Sequence, residues 1–263
     1  MRQVLWTLTF AAQLVLLVVL LGRDRARRYP WFTAAIALTA LQLLAEVLLT
    51  GRMATFPLKA TLITLADLAA IAGLMVLVEL ARRAFAGLHR PLWIVNTVGL
   101  VVVAGLGLVF LGPWPSWKLI TANPSVTPLN LMLAIAAPRD VPTIVFGVDK
   151  GNLLVALLTV GLGLLVVLFG GKFMAGWRSH TQMISIGLST VAITWLVVQV
   201  VVQSILRTAH PQSPADVERI LSLDVITRLL NANKLVYIAA LVWWIAWLWQ
   251  DEPGAAKPTP TAE

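Results

Sequence analysis

Apolar residues run nearly unbroken through seven stretches of the chain, near 4–21, 31–49, 60–80, 92–111, 153–170, 183–206 and 235–249. A helix of about 20 apolar residues covers the ~30 Å of a bilayer's hydrocarbon, so the pattern predicts seven transmembrane helices. All fourteen prolines fall outside these stretches. Proline removes a backbone donor and hydrocarbon supplies no substitute partner, so the spans read as largely uninterrupted helices. The expected fold class is therefore all-α, a single seven-helix transmembrane bundle over 1–250. The segment 251–263, rich in Pro, Ala, Thr and Gly, reads as a disordered cytoplasmic tail.

Two connecting segments are long. Residues 112–152 include a second apolar piece, 129–137, too short to cross and suited to the membrane surface. Asp149-Lys150-Gly151 in the same segment reads as a turn. In 207–234, Ser213-Pro214-Ala215-Asp216 has the order of an N-cap, a first-position proline and an acid at the third position. Val217, Ile220, Leu221, Val225 and Leu229 then recur at helical spacing, which predicts an amphipathic helix feeding the seventh span.

Composition removes the soluble alternative. The 263 residues are 59% hydrophobic and only 12% charged, about half the charged fraction of a soluble domain. Mean hydropathy is +0.86. The net charge of +8 concentrates in short links, where it reports orientation rather than nucleic-acid binding. Arg23, Arg25, Arg27 and Arg28 follow the first span, Arg82, Arg83 and Arg90 the third, and Lys172 and Arg178 the fifth. These links should face the cytoplasm, which puts the N-terminus outside and the C-terminus inside. Trp6, Trp31, Trp93, Trp177, Trp247 and Trp249 lie near span ends, as an interfacial aromatic belt requires. The first span lacks a small-residue cleavage site and reads as a retained helix. The expected location is a bacterial inner membrane, crossed many times.

The polar residues inside spans carry the candidate chemistry. Gln42 and Glu46 share one face of the second span, four residues apart. Asp67 lies in the third, a turn after Thr64. Gln199, Gln203 and Arg207 form a stripe on the sixth, and Asn231, Asn233 and Lys234 open the seventh, a turn before Tyr237. With the N-terminus outside, Asp67 lies ~10–12 Å below the outer edge, and the others share its half. Ionisable groups in lipid converge on a bundle interior or wet cavity. Glu46, Asp67, Gln199, Gln203, Arg207 and Lys234 are therefore the expected ligand-binding set, with Glu46 and Asp67 facing Lys234, Arg207 or both. Interhelical packing bonds are the alternative use of the same residues. Glu79 should pair locally with the arginines beside it, while Gly105, Gly107, Gly161 and Gly163 should let helices approach closely.

Other chemistry lacks support. There is no cysteine, and His89, His180 and His210 have no partner histidine at helical spacing, so no metal or cofactor is expected. No nucleophile, Walker or zinc-protease motif occurs, so the chain does not read as an enzyme. The expected partners are the lipid bilayer, a small-molecule ligand from the outer side and a partner membrane protein, with no nucleic acid.

One resemblance covers about a quarter of the chain, from 20 to 85. Arg27-Arg28-Tyr29-Pro30-Trp31-Phe32-Thr33 and Val78-Glu79-Leu80-Ala81-Arg82-Arg83-Ala84-Phe85 resemble segments of uncharacterised bacterial, acidobacterial-type seven-helix membrane proteins. That group has no known function, so the resemblance implies a fold but no site residue. The leading expectation is a sensor- or receptor-like protein binding a small ligand in the outer half. A small-molecule or ion transporter and a structural subunit of a membrane complex are the alternatives.

Overall fold

Lipid cannot hydrogen-bond a peptide group, and every described secondary-structure element is accordingly an α-helix. The computed structural model describes residues 2–49, 55–84, 90–111, 141–169, 179–209 and 223–251. Its helices are α1 (Arg2–Gly22), α2 (Arg25–Arg28), α3 (Pro30–Leu49), α4 (Thr55–Ala84), α5 (Arg90–Leu111), α6 (Val141–Phe169), α7 (His180–Ala209) and α8 (Asp224–Trp249). Five of them are long and apolar enough to cross a membrane: α1, α3, α4, α7 and α8. The chain is thus a multi-pass membrane protein. Within their described residues α5 and α6 carry shorter apolar stretches, Thr97–Gly107 and Gly151–Val167. The surface piece at 129–137, the cap at 213–216 and the tail from 252 lie outside the described residues.

Helix ends differ from the apolar boundaries in an instructive way. Pro30, Pro57, Pro91 and Pro142 lie inside helices, each within the first three residues. First-turn N–H groups have no intrahelical acceptor, so proline there costs no bond. Asp149-Lys150-Gly151 is not a turn but part of α6, which starts at Val141. Likewise α8 starts at Asp224, well before the apolar stretch, because Asn231, Asn233 and Lys234 are accommodated within the helix.

The long helices close a ring. α1 packs on α3, α3 on α4, α4 on α6, α6 on α7, α7 on α8, and α8 back on α1. α5 packs against α6 outside it. Close approach between α6 and α7 depends on Gly163, where an added Cβ would collide with Ser189. The Ser189 hydroxyl donates to the Thr159 carbonyl across that contact, at 3.0 Å. Gly107 and Gly161 also meet neighbouring leucines, whereas Gly105 faces open space.

The apolar core fills one half of the bundle. Leu16 and Leu20 of α1, Phe32 and Ile36 of α3, Leu77 and Leu80 of α4, Val166 of α6, Ile184 of α7 and Leu241, Trp244 and Leu248 of α8 form one buried cluster. Trp244 meets Phe32 edge to face at 5.2 Å and lies against Gly187, where any side chain would collide with the indole.

This half ends in a polar joint. Pro30 opens α3, and the Phe32 N–H two residues later donates to Glu79 Oε2 of α4 at 3.2 Å. Glu79 therefore supplies, from another helix, the negative charge that a helix N-terminus favours. Its other oxygen lies 3.9 Å from Arg83 Nη2, so the local pairing exists but is only part of its role. Arg83 also donates to the Arg28 carbonyl and stacks 4.7 Å over the Tyr29 ring. The fully buried Tyr29 hydroxyl bonds Thr181 Oγ1 of α7 at 3.0 Å. Arg25 donates to the Gln250 carbonyl at 3.2 Å and, with Arg23, pairs with Asp251 beyond α8. These last pairs are exposed and add little stability.

Two stability outcomes follow. Gly187→Ala should lower stability by ~1–3 kcal/mol, as overpacking against a buried indole does. Thermal unfolding in detergent measures this, and an unchanged melting temperature would contradict the packing described. Glu79→Ala should cost ~1–3 kcal/mol by stranding the Phe32 N–H. Glu79→Gln should retain most of that stability, since its amide oxygen still accepts from Phe32; equal losses in both variants would show that charge, not the cap, matters.

Candidate ligand cavity

The opposite half of the bundle is built differently. α1, α3 and α8 separate there around a cavity of about 930 Å³, which Val191 of α7 also touches. Gln3, Trp6, Thr7, Thr9 and Gln13 line it from α1, Thr39, Gln42, Leu43, Glu46 and Val47 from α3, and Asn233, Lys234 and Tyr237 from α8. Positions 9 and 13, 39 and 43, and 233 and 237 are each one turn apart, which places each pair on one helix face. Polar residues on three helices thus face a shared space.

Its deep end is a three-helix junction around Gln13, a buried amide with 1% exposure. Gln13 Nε2 donates to Thr39 Oγ1 at 3.1 Å and to the Tyr237 hydroxyl at 3.0 Å. Thr39 Oγ1 lies 3.1 Å from the Ala35 carbonyl and 3.0 Å from the Ile36 carbonyl. The Thr39 proton is thereby committed to the main chain, so its oxygen accepts from the Gln13 amide nitrogen. That fixes the amide orientation and turns Gln13 Oε1 away from both hydroxyls.

Three lining residues carry buried polar atoms without a hydrogen-bond partner: Trp6 Nε1, Gln13 Oε1 and Asn233 Oδ1. Such atoms each cost about 1–3 kcal/mol when nothing satisfies them. Charge is added by Glu46 and Lys234, of which Lys234 makes no ion pair among the described residues. Trp6 precedes Gln13 by seven residues and Glu46 follows Thr39 by seven. At 1.5 Å per residue, these groups lie ~10 Å along the helices from the amide junction. The cavity therefore has an amide and hydroxyl floor and a charged, indole-bearing rim.

Of the residues singled out in the sequence, Glu46 and Lys234 line this cavity together, with Gln42, Asn233 and Tyr237. Lys234 does not open its helix but is the eleventh residue of α8, counted from Asp224. Asp67 of α4 and Gln199 of α7 are not among the described lining residues. α4 packs on α3, α6 and α7, and contributes no described residue to the cavity between α1, α3 and α8. Gln203 and Arg207 lie in α7, but their side chains are outside the described residues. Gln13 is the group that inspection of charged positions overlooks. The available signal was its neutral amide in an apolar run, one turn after Thr9 and two after Trp6.

Among the described residues no group of three or more His, Cys, Asp or Glu is placed to hold a metal ion. What the cavity offers instead is hydrogen bonding of both senses beside a carboxylate, Glu46, and a cation, Lys234. Comparison of the chain with protein-family models, curated protein sequences and solved structures finds no match to any of the three.

Proposed function

We propose that this protein is a sensor- or receptor-like membrane protein that binds a small polar ligand in the cavity between α1, α3 and α8. The observation that carries this is the gathering of polar and charged residues from three helices, among them Gln13, Thr39, Glu46, Asn233, Lys234 and Tyr237, around one cavity of about 930 Å³. The cavity is also blind. Below Gln13 and Tyr237 the ring interior is filled by the cluster of Leu16, Leu20, Phe32, Ile36, Leu241 and Trp244. A continuous polar path is what a transporter needs, so this filling supports ligand sensing over transport.

In the same proposal all seven long helices span a bacterial inner membrane, α5 and α6 included, and the cavity opens on the outer side. The arginines at the other end support this orientation. Arg23, Arg25, Arg27, Arg28, Arg82 and Arg83 all lie on the side away from the cavity, where cytoplasmic anionic headgroups would meet them. The resemblance of 27–33 and 78–85 to bacterial seven-helix proteins supports the location. Those two segments meet in the Glu79, Arg83 and Tyr29 joint.

A thermal-shift screen of small polar metabolites on the purified protein tests the binding role. At least one compound should raise the melting temperature of the wild type and fail to raise that of Gln13→Leu, because binding to the folded state adds apparent stability. Hits that stabilise both proteins equally would remove the cavity from consideration. Orientation is tested separately, using the absence of native cysteine. A membrane-impermeant maleimide should label Gln3→Cys in intact spheroplasts and Arg82→Cys only after lysis; the reverse pattern would invert the topology.

A further inference from the structure

We propose that the outward face of α4 docks a transmembrane helix of a partner protein, one whose lysine or arginine pairs with Asp67 inside the bilayer. α4 contributes no described residue to the cavity, so this inference stands or falls apart from the ligand-binding reading.

The direction of Asp67 follows from the helix around it. Ala72, Val76 and Leu80 are buried in the ring. They follow Asp67 by five, nine and thirteen residues, which at 3.6 residues per turn puts them on the opposite side of α4. Both flanks are also occupied, since Glu79 bonds the Phe32 N–H of α3 and Gly73 meets Val155 of α6. Ile71, Leu74 and Val78 follow Asp67 by four, seven and eleven residues and share its face, and all three are exposed. Asp67 therefore looks away from the ring, at the head of an apolar stripe.

Depth makes that position costly. Asp67 lies within Thr64–Ala84, a stretch apolar enough to cross a membrane. Exposed Arg82, fifteen residues later, marks one edge of the hydrocarbon. Asp67 is then ~22 Å from that edge, still inside a layer of ~30 Å. Lysine and arginine reach water from such depths along their long stems, but an aspartate has only one methylene.

Among the described residues Asp67 makes no hydrogen bond or ion pair. Glu79 of the same helix has both the Phe32 N–H and Arg83. Ionisable groups within membranes pair with one another or face a wet cavity, and Asp67 lines no described cavity. Its complement must come from outside the ring. A basic side chain at the same depth supplies charge and a charge-assisted hydrogen bond together, while Ile71, Leu74 and Val78 pack the helix that bears it.

The test uses two synthetic single-span peptides in phosphatidylcholine vesicles with the full-length protein. Both carry a dansyl group and differ in one residue about five positions from the midpoint, the depth of Asp67, which is lysine or leucine. Energy transfer from the protein's tryptophans reports association. The lysine peptide should associate about tenfold more tightly than the leucine peptide, the scale of one interhelical polar bond in lipid. Asp67→Leu should abolish the preference and Asp67→Asn should reduce it, with unfolding temperatures identifying any variant that fails to fold. Because the chain has no cysteine, the contact face can be mapped as well. Ile71→Cys should form a disulfide with a peptide cysteine one turn from the lysine, whereas Val102→Cys, exposed on α5, should not. Equal association of both peptides, as a protonated Asp67 resting in lipid would give, overturns the proposal. So does a lysine preference that survives Asp67→Leu, or equal cross-linking at both positions. Energy transfer between labelled copies of the protein that Asp67→Leu removes would instead assign the face to self-association, and would overturn it too.

Discussion

Hydrocarbon gives a polar group nothing to bond to, so each such group must find its partner inside the protein. The helices meet this demand first, and their side chains follow. Thr9 bonds the Leu5 carbonyl, Thr159 that of Val155, Ser185 that of Thr181 and Thr194 that of Thr190, each four residues back. These hydroxyls disappear into their own helices and leave the interface apolar. Glu79 solves a harder case, because one carboxylate receives the Phe32 N–H of α3 and faces the Arg83 guanidinium. Against this economy, the polar residues of α1, α3 and α8 that line one space, Glu46 and Lys234 among them, stand apart.

The bundle is consequently two materials in one ring. Near the arginines it is close-packed, with Trp244 set into the gap at Gly187 and against Phe32. Toward the other end α1, α3 and α8 part, and amides, hydroxyls and two charges replace leucines. Dense apolar packing resists deformation, whereas a polar cavity can rearrange its bonds at small cost. Gln13 marks the border, since it ties all three helices together at the depth where one regime gives way to the other.

Much of this was legible in the sequence, for physical reasons that differ by residue. Apolar runs locate membrane helices well because the bilayer sets their length, and five such helices stand in the fold. Helix ends were less legible: α6 and α8 extend beyond their apolar runs through Asp149 and Lys150 or Asp224 and Arg228, whose charges do not oppose helix formation at the interface. Arg228 even pairs with Asp224 one turn back. Glu46 and Lys234 stood out because a charge in an apolar run is costly. Asp67 stood out for the same reason, but its depth could not reveal which neighbour its helix faces. The ring order decides that, and no local pattern encodes it. Gln13 drew less notice because a neutral amide perturbs hydropathy little, although it bonds side chains of two other helices.

The bond between Gln13 and Tyr237 joins residues 224 positions apart. It links the first long helix of the described chain to the last. During synthesis, then, α1 inserts with a buried-type amide, and one of its two partners, Tyr237, has not yet been translated. The cavity comes into existence only when α8 arrives and docks on both α1 and α7. Until that moment the α1 face is a polar scar in the bilayer, the kind of feature by which quality-control machinery distinguishes an unfinished membrane protein from a finished one. A chain interrupted before Asp224 would lack not just one helix but the whole third wall of its cavity.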